Sequence, residues 1–351
     1  MRLLIITQKV NSRDPILGFF VGWIRELSRH FENITVICLE KGEYDLPRNV
    51  SVHSLGKEKG SSRVKILVNF YLYVFRFRKK YDSVFVHMNP IYVVLAGLLW
   101  RFVQRKKIFL WYTHKHVDWK LKIAEKLSSA VFTASPESFR LKSSKVVVTG
   151  HGIDTSLFKP SEKKLQQEKI ILLTIGRISE SKNYEVLVDS VRILKDAHYD
   201  VELLLVGVPV LPEDIVYEKK IKQVVQEQGL EEEVQFVGPI SNEESVGYYQ
   251  SANMFVHSSE TGSLDKVVLE AMSCGVPVLS SNDASVPILS KFDSHLVFKK
   301  NDAEQLSENI IFFSSNQFKG EVLKNQFRKE VLEYHSLPKL IKKISTIIYE
   351  K

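Results

Sequence analysis

Two cationic side chains stand where the chain could grip an anion. The apolar run Ile170 to Ile175 meets Gly176-Arg177, and Lys182 follows just ahead of a helical pattern that begins near Tyr184. If the run is a strand of an open α/β sheet, both cations fall in the crevice beyond its carboxyl end, where such sheets bind ligands. A guanidinium takes two phosphate oxygens in a fork and an ammonium adds a point charge, so the pair suits a diphosphate without a metal ion. The plain alternative is a solvated surface pair.

The segment from Glu260 to Val278 adds weight to the anion reading. Gly262 and Ser263 are expected to open a helix directly after the strand Met254 to His257, turning free backbone N–H groups and the positive dipole end toward the same crevice. Helical spacing puts Ser263, Lys266 and Glu270 on one face and Leu264, Val267, Val268 and Ala271 on the other. Glu270 can accept two ribose hydroxyls, or pair with Lys266 one turn back. Gly238 and Pro239, after the strand Val234 to Val237, can set backbone groups against a nucleotide base. Gly18, in the first strand-to-helix loop, either lets an acceptor come close to the backbone or simply starts a helix.

Several chemistries are disfavoured by what the chain lacks. The first strand-to-helix turn, Thr7 to Gly18, has no G-x-G-x-x-G fingerprint, and no P-loop occurs anywhere. There is no Asp-x-Asp to clamp a magnesium-bound diphosphate, and Cys38 and Cys274 form neither a disulfide framework nor a zinc site. No metal or cofactor is expected, and the cysteine usage together with the short amino-terminal apolar run predicts a cytoplasmic chain without a signal peptide.

The elements that must carry these residues alternate along the 351-residue chain. Short Val/Ile/Leu runs, apolar on consecutive positions, predict strands buried on both faces in a parallel sheet, separated by helices. They occur once over residues 1–159 and again over 169–335, with strands at Ile170 to Ile175, Val201 to Val206, Val234 to Val237, Met254 to His257, Val276 to Ser280 and His295 to Phe298. A polar linker is expected at 160–168, and a last helix at 336–351 is expected to pack back on the first domain. The fold class is therefore α/β, two Rossmann-like domains in series with carboxyl-terminal helices. Residues 1–159 carry +15 and the remainder −7, so a polyanionic partner is expected for the first domain. The apolar stretches Val64 to Phe77 and Pro90 to Trp100 end in Arg76, Arg78, Lys79, Lys80, Arg101, Arg105, Lys106 and Lys107. Both fall short of the ~20 residues that cross a bilayer and suit either core helices or helices lying on an anionic leaflet.

Gly176-Arg177-x4-Lys182, Glu270-Ala271-Met272-Ser273-Cys274-Gly275-Val276-Pro277-Val278, His151-Gly152-Ile153-Asp154 and Trp111-Tyr112-Thr113-His114 together resemble the family-four retaining glycosyltransferases of the GT-B fold. That resemblance implies two domains facing across a cleft, Arg177 and Lys182 on the donor diphosphate, Glu270 on the nucleotide ribose and His114 on the donor sugar. His116 competes with His114, but its spacing from the strand is less apt. The family places a sugar-binding Glu where this chain has Gly262, so Gly262, Ser263, Leu264, Asp265 and Lys266 are expected to supply the donor contacts instead. The resemblance implies a nucleoside-diphosphate sugar donor, for which UDP-sugar is expected, and the acceptor expected is a lipid-linked or glycan precursor of cell-envelope polysaccharide; the basic half adds an anionic membrane surface as an expected partner. A sugar-nucleotide epimerase or phosphorylase on the same fold is the nearest rival. A nucleic-acid-binding protein would rest on the basic half alone, with no reader motif, and nucleic acid is not expected.

Overall fold

The structure, a computed structural model, describes residues 1–161 and 169–351, so most of the linker expected at 160–168 lies outside the described residues. Two units result: Met1–Asp154 with His335–Lys351, and Thr155–Tyr334.

The first unit runs β1 (Arg2–Val10), α1 (Phe19–Leu27), β2 (Asn33–Lys41), β3 (Val50–Ser54), α2 (Arg63–Arg76), β4 (Ser83–His87), α3 (Ile91–Leu98), β5 (Lys107–Trp111), α4 (Trp119–Leu127), β6 (Ala130–Thr133) and β7 (Val146–Val148). Its strands form one parallel sheet in the order β3-β2-β1-β4-β5-β6-β7. The unbroken apolar run of β1 is explained by burial on both faces. Leu3 and Ile5 pack with Phe20, Trp23 and Ile24 on one side, whereas Leu4 and Ile6 pack with Phe70, Val74 and Trp100 on the other.

The second unit runs β8 (Ile170–Ile175), α5 (Glu185–Asp196), β9 (Val201–Val206), α6 (Pro212–Glu227), β10 (Val234–Gly238), α7 (Ser245–Ser251), β11 (Met254–His257), α8 (Lys266–Cys274), β12 (Val278–Ser280), α9 (Val286–Leu289), α10 (Ala303–Ser315) and α11 (Gln317–Glu330). Its parallel sheet has the order β10-β9-β8-β11-β12. The strand expected at His295 to Phe298 is not formed. Asp293 accepts a bond from the His295 backbone N–H at 2.9 Å and winds Ser294–Leu296 into a 3-10 turn, leaving one bridge from Val297 to Ser280. Arg328 of α11 donates to the carbonyls of Thr155, Phe158 and Ser273, tying the first residues of this unit to α8.

The chain ends in α12 (Leu337–Glu350), which belongs to the first unit. Leu337, Leu340, Ile341, Ile344 and Ile348 enter the core that holds Phe20 and Trp23. Gly152 is required there, because a Cβ would stand 2.7 Å from Leu340 and 2.8 Å from Leu337. Cys38 and Cys274 are buried thiols that burial pushes up to about 12. Among the described residues, no helix is long and apolar enough to cross a membrane.

Candidate functional site

In the second sheet the strand order reverses between β8 and β11, so the crevice beyond their carboxyl ends is the topological switch point. Three neighbouring strands arrive there on glycine. Gly207, after β9, has φ +142°, and a Cβ would lie 1.8 Å from the Gly176 carbonyl oxygen. Gly238 ends β10 at φ +89° with nothing within 4 Å of a Cβ, so open space lies over it. A Cβ on Gly176 would meet Lys182 Cε at 3.4 Å, which shows the lysine stem lying against the glycine backbone. Gly207 is thus needed for the approach of the Gly176 carbonyl, while the open space over Gly238 gives a ligand a close approach to the backbone there.

Lys182 closes a 3-10 turn, Glu180–Lys182, and Asn183 follows at φ 49°. Ser258, just past β11, donates to the carbonyls of Lys182 and Asn183 at 2.7 and 3.0 Å, drawing that turn onto the neighbouring strand. Lys182 Nζ then reaches Asp265 Oδ2 at 2.6 Å. The same oxygen takes His257 Nε2 at 2.9 Å, while His257 Nδ1 is 3.0 Å from Ser280 Oγ. Burial holds the His257 imidazole below its ordinary value despite the Asp265 bond, so the ring is neutral, donating to Asp265 and accepting from Ser280. Burial pushes the Asp265 carboxyl up, but Lys182 and His257 overcome it and hold the group well below the usual carboxylate range.

This arrangement alters the expected helix start. α8 begins at Lys266 with Asp265 as its N-cap, rather than at Gly262 and Ser263, because Gly262 adopts φ +64° in the loop. Asp265 makes no side-chain cap bond, since its carboxylate is turned onto Lys182 and His257. Leu264 is buried at 3% exposure, and Ser263 is half-buried in the loop.

Arg177 sits at the same edge, its Nε 3.5 Å from Asp214 Oδ2. Asp214 is itself fixed by the backbone N–H groups of Val210 and Leu211 at the start of α6. Glu270 is 3% exposed and carries the one-turn pair with Lys266 at 2.6 Å, one of the two readings open from sequence. Tyr249 Oη and Asn242 Nδ2 also reach it, at 3.1 and 3.3 Å. Its carboxylate is therefore held in one orientation on the second turn of α8. Neither Asp214, Tyr249, Asn242 nor His257 was singled out in the sequence. Only His257, a polar residue ending a buried strand beside the switch point, offered a signal.

The first unit places the remaining candidates separately. His114 lies exposed in the loop after β5, its ring 5.9 Å from that of Tyr112. His116 is exposed too, and its carbonyl accepts from Tyr112 Oη at 2.8 Å. Gly18 caps α1, and a Cβ there would stand 2.5 Å from the Asp14 carbonyl oxygen and 2.7 Å from that of Ser12. The close approach that demands glycine here is thus made by its own loop, as the helix-start reading expects. His87 ends β4, stacks on Phe20 at 3.8 Å and lies 3.2 Å from Thr7 Oγ1, where the first sheet also reverses its order. Burial pushes it down to about 3, and its Nε2 is buried without a hydrogen-bond partner.

Residues 157–330 match the family described as Glycosyl transferases group 1. Among curated relatives, the lipopolysaccharide core biosynthesis mannosyltransferase LpsB of Rhizobium meliloti is 25% identical over 54% of this chain and 56% of its own length. The putative colanic acid biosynthesis glycosyltransferase WcaL of Escherichia coli is 24% identical over 48% of this chain and 42% of its own. The chain thus spans about half the length of the curated relatives it matches. Among solved structures, Anabaena Alr3699/HepE in complex with UDP superposes with a TM-score of 0.78 over all of both chains at 17% identity. This likeness shows the fold, the two-sheet GT-B architecture that the sequence motifs implied.

Proposed function

We propose that this chain, a group 1 glycosyl transferase by residues 157–330, moves a hexosyl group from a nucleoside-diphosphate sugar to an acceptor hydroxyl with retention of anomeric configuration. The observation that carries this is the meeting of Lys182, Arg177 and the first turn of α8 at a glycine-lined switch point, with Glu270 oriented beside them. UDP-sugar is the donor we assign, because Alr3699/HepE is described with UDP and with UDP-glucose. The acceptor assigned is a lipid-linked or glycan precursor of an envelope polysaccharide, the class named for LpsB and WcaL. The basic first unit also suits work at the cytoplasmic face of an anionic membrane.

In this reading Arg177 and Lys182 stabilise charge that builds on the leaving diphosphate, and the first-turn N–H groups of α8 add their dipole. Glu270, prevented from rotating by Lys266, Tyr249 and Asn242, orients the ribose by its hydroxyls. By resemblance, His114 contacts the donor sugar. No step needs a protein nucleophile, since a phosphate oxygen can take the acceptor proton as the hydroxyl attacks the face the diphosphate leaves.

The test is a thermal-shift panel of UDP-, GDP- and ADP-sugars, followed by incubation of the stabilising donor with acceptor glycans and NMR of the product anomer. A specific donor raises the melting temperature by ligand linkage and yields a product of unchanged anomeric configuration. A protein indifferent to every nucleotide sugar, or an inverted product, overturns the reading. Interconversion of one nucleotide sugar into its epimer would instead favour the epimerase.

A further inference from the structure

We propose that α2 and the cavity on its flank form a docking site for an anionic bilayer, with the cavity receiving a lipid phosphate. This deepens the membrane part of the reading above and stands apart from the sugar-transfer part.

The helix presents three faces. Phe70 and Val74, at 1% and 0% exposure, join the core under the first sheet. On the opposite side Val64, Val68, Leu72 and Phe75 are exposed at 73%, 51%, 59% and 49%, spaced by four, four and three residues. A surface helix ordinarily carries polar residues there, so this is a second apolar stripe that the described chain leaves uncovered. Helix α3 lies alongside, bonded to α2 through Tyr71 Oη and the Leu95 carbonyl at 2.9 Å. Its last residue, Leu98, and Phe102 and Val103 of the helical turn that extends it are exposed at 61%, 66% and 73%.

Between stripe and core runs the third face, Lys65, Asn69 and Tyr73, which walls a cavity of about 270 Å³ together with Lys41, His53 and Lys59. Among the described residues, none of the three lysines has a carboxylate partner, and the one acid in the wall, Glu58, is turned onto Ser54 Oγ at 2.6 Å. The cavity thus gathers three ammonium groups against a single carboxylate, beside an exposed apolar helix.

Charge decides the occupant. From Arg63 to Lys107 there are ten Lys and Arg and a single acid, Asp82, which Arg2 already holds at 2.7 Å. A second copy docking by this same face would set like charge against like, and the acidic second unit of another copy would leave the aliphatic stripe unused. A nucleic acid would leave the aliphatic stripe unused. An anionic leaflet satisfies both features, because a 14-residue helix is too short to cross but can sink its apolar stripe among the acyl chains while lysines meet phosphates.

The test uses the full chain and sedimentation with vesicles of phosphatidylcholine alone or mixed with phosphatidylglycerol, at low and high salt. We expect binding to the anionic vesicles at low salt and its loss at high salt. Replacing Val68, Leu72 and Phe75 together by Ser should weaken that binding about tenfold or more, as should Lys41→Gln, Lys59→Gln and Lys65→Gln together. Circular dichroism and the melting transition report that the first unit of each variant remains folded, and UDP affinity, assigned to the second unit, should not change. Equal binding to neutral and anionic vesicles, no binding at all, or undiminished binding by the Ser variant overturns the docking site. Undiminished binding by the Gln variant, or saturation of the cavity by soluble glycerol phosphate without vesicle binding, overturns the lipid-phosphate assignment.

Discussion

Replacing Asp265 by Asn should make the protein less stable and its affinity for UDP greater. In the folded chain Asp265 Oδ2 takes Lys182 Nζ at 2.6 Å and His257 Nε2 at 2.9 Å, and the lysine side chain is only 14% exposed. Removing one partner of a buried pair costs about 3 to 5 kcal/mol. The amide retains one acceptor and the lysine some solvent, so about 2 to 4 kcal/mol is expected, or roughly 4 to 16 °C in the melting temperature of a unit this size. For UDP the sign reverses. A phosphate oxygen on the same ammonium would lie about 4 to 5 Å from the carboxylate, where unit charges repel by roughly 3 to 4 kcal/mol at an effective dielectric constant near 20. Spreading of the phosphate charge reduces that, leaving a tightening of about tenfold to a hundredfold. The stability penalty should be flat from about pH 7.5 to pH 9. Asp265 titrates below the usual carboxylate range, so its contribution is complete above the unfolded value near 3.9 and lost only on acidification. Burial holds His257 below its ordinary value near 6.5, so it is neutral above about pH 7.5 and its protonation does not enter. Calorimetric titration with UDP and thermal scans across pH measure both effects. A folded Asp265→Asn protein with unchanged or weaker UDP binding would refute the opposition between this carboxylate and the diphosphate, and a penalty that shrinks as pH rises would show a charged His257.

Four further outcomes are expected. Lys182→Ala and Arg177→Ala should each weaken UDP binding by about 1.5 to 3 kcal/mol, roughly 10- to 150-fold, and titration showing less than twofold in both would remove them from the diphosphate site. Glu270→Gln should bind UDP more tightly than Glu270→Ala, since the amide keeps an acceptor for the ribose; identical affinity of both with wild type would leave the Lys266 pair as its whole role. In transfer assays His114→Ala should lose at least about tenfold in turnover with UDP affinity retained, and His116→Ala should not; the reverse pattern moves the assignment two residues along. Because burial holds His87 near 3, the unfolded chain binds the extra proton below about pH 6.5, and stability should fall by about 2 kcal/mol between pH 7.5 and 5 on its account. Denaturant titrations of His87→Phe should show a shallower decline, part of which persists because His257 acts in the same direction.

Much of this protein is legible in one dimension. Consecutive apolar positions in β1 announce a strand buried on both faces, and that local pattern survives folding because Leu3 and Leu4 face two different cores. The motif residues Arg177, Lys182 and Glu270 are also readable, since each lies at a strand end or on a helix face whose position follows from period and turn. What pairs with them is not, because those partners are far away along the chain. Asp265 meets Lys182 across 83 residues, and Tyr249 and Asn242 reach Glu270 across 21 and 28. Local periodicity carries no record of such meetings, so Asp265 read as a donor contact and folded as the counter-ion of a cation. The same holds for Gly18, whose need for glycine is set by two carbonyls of its own loop, and for the outer stripe of α2, which reads equally as core or as an interfacial face until the fold leaves it exposed. Sequence determines which residues can form strands, helices and turns, because those depend on neighbours; only the tertiary structure decides which charges are neutralised and which apolar faces stay bare, because those depend on what the fold brings near.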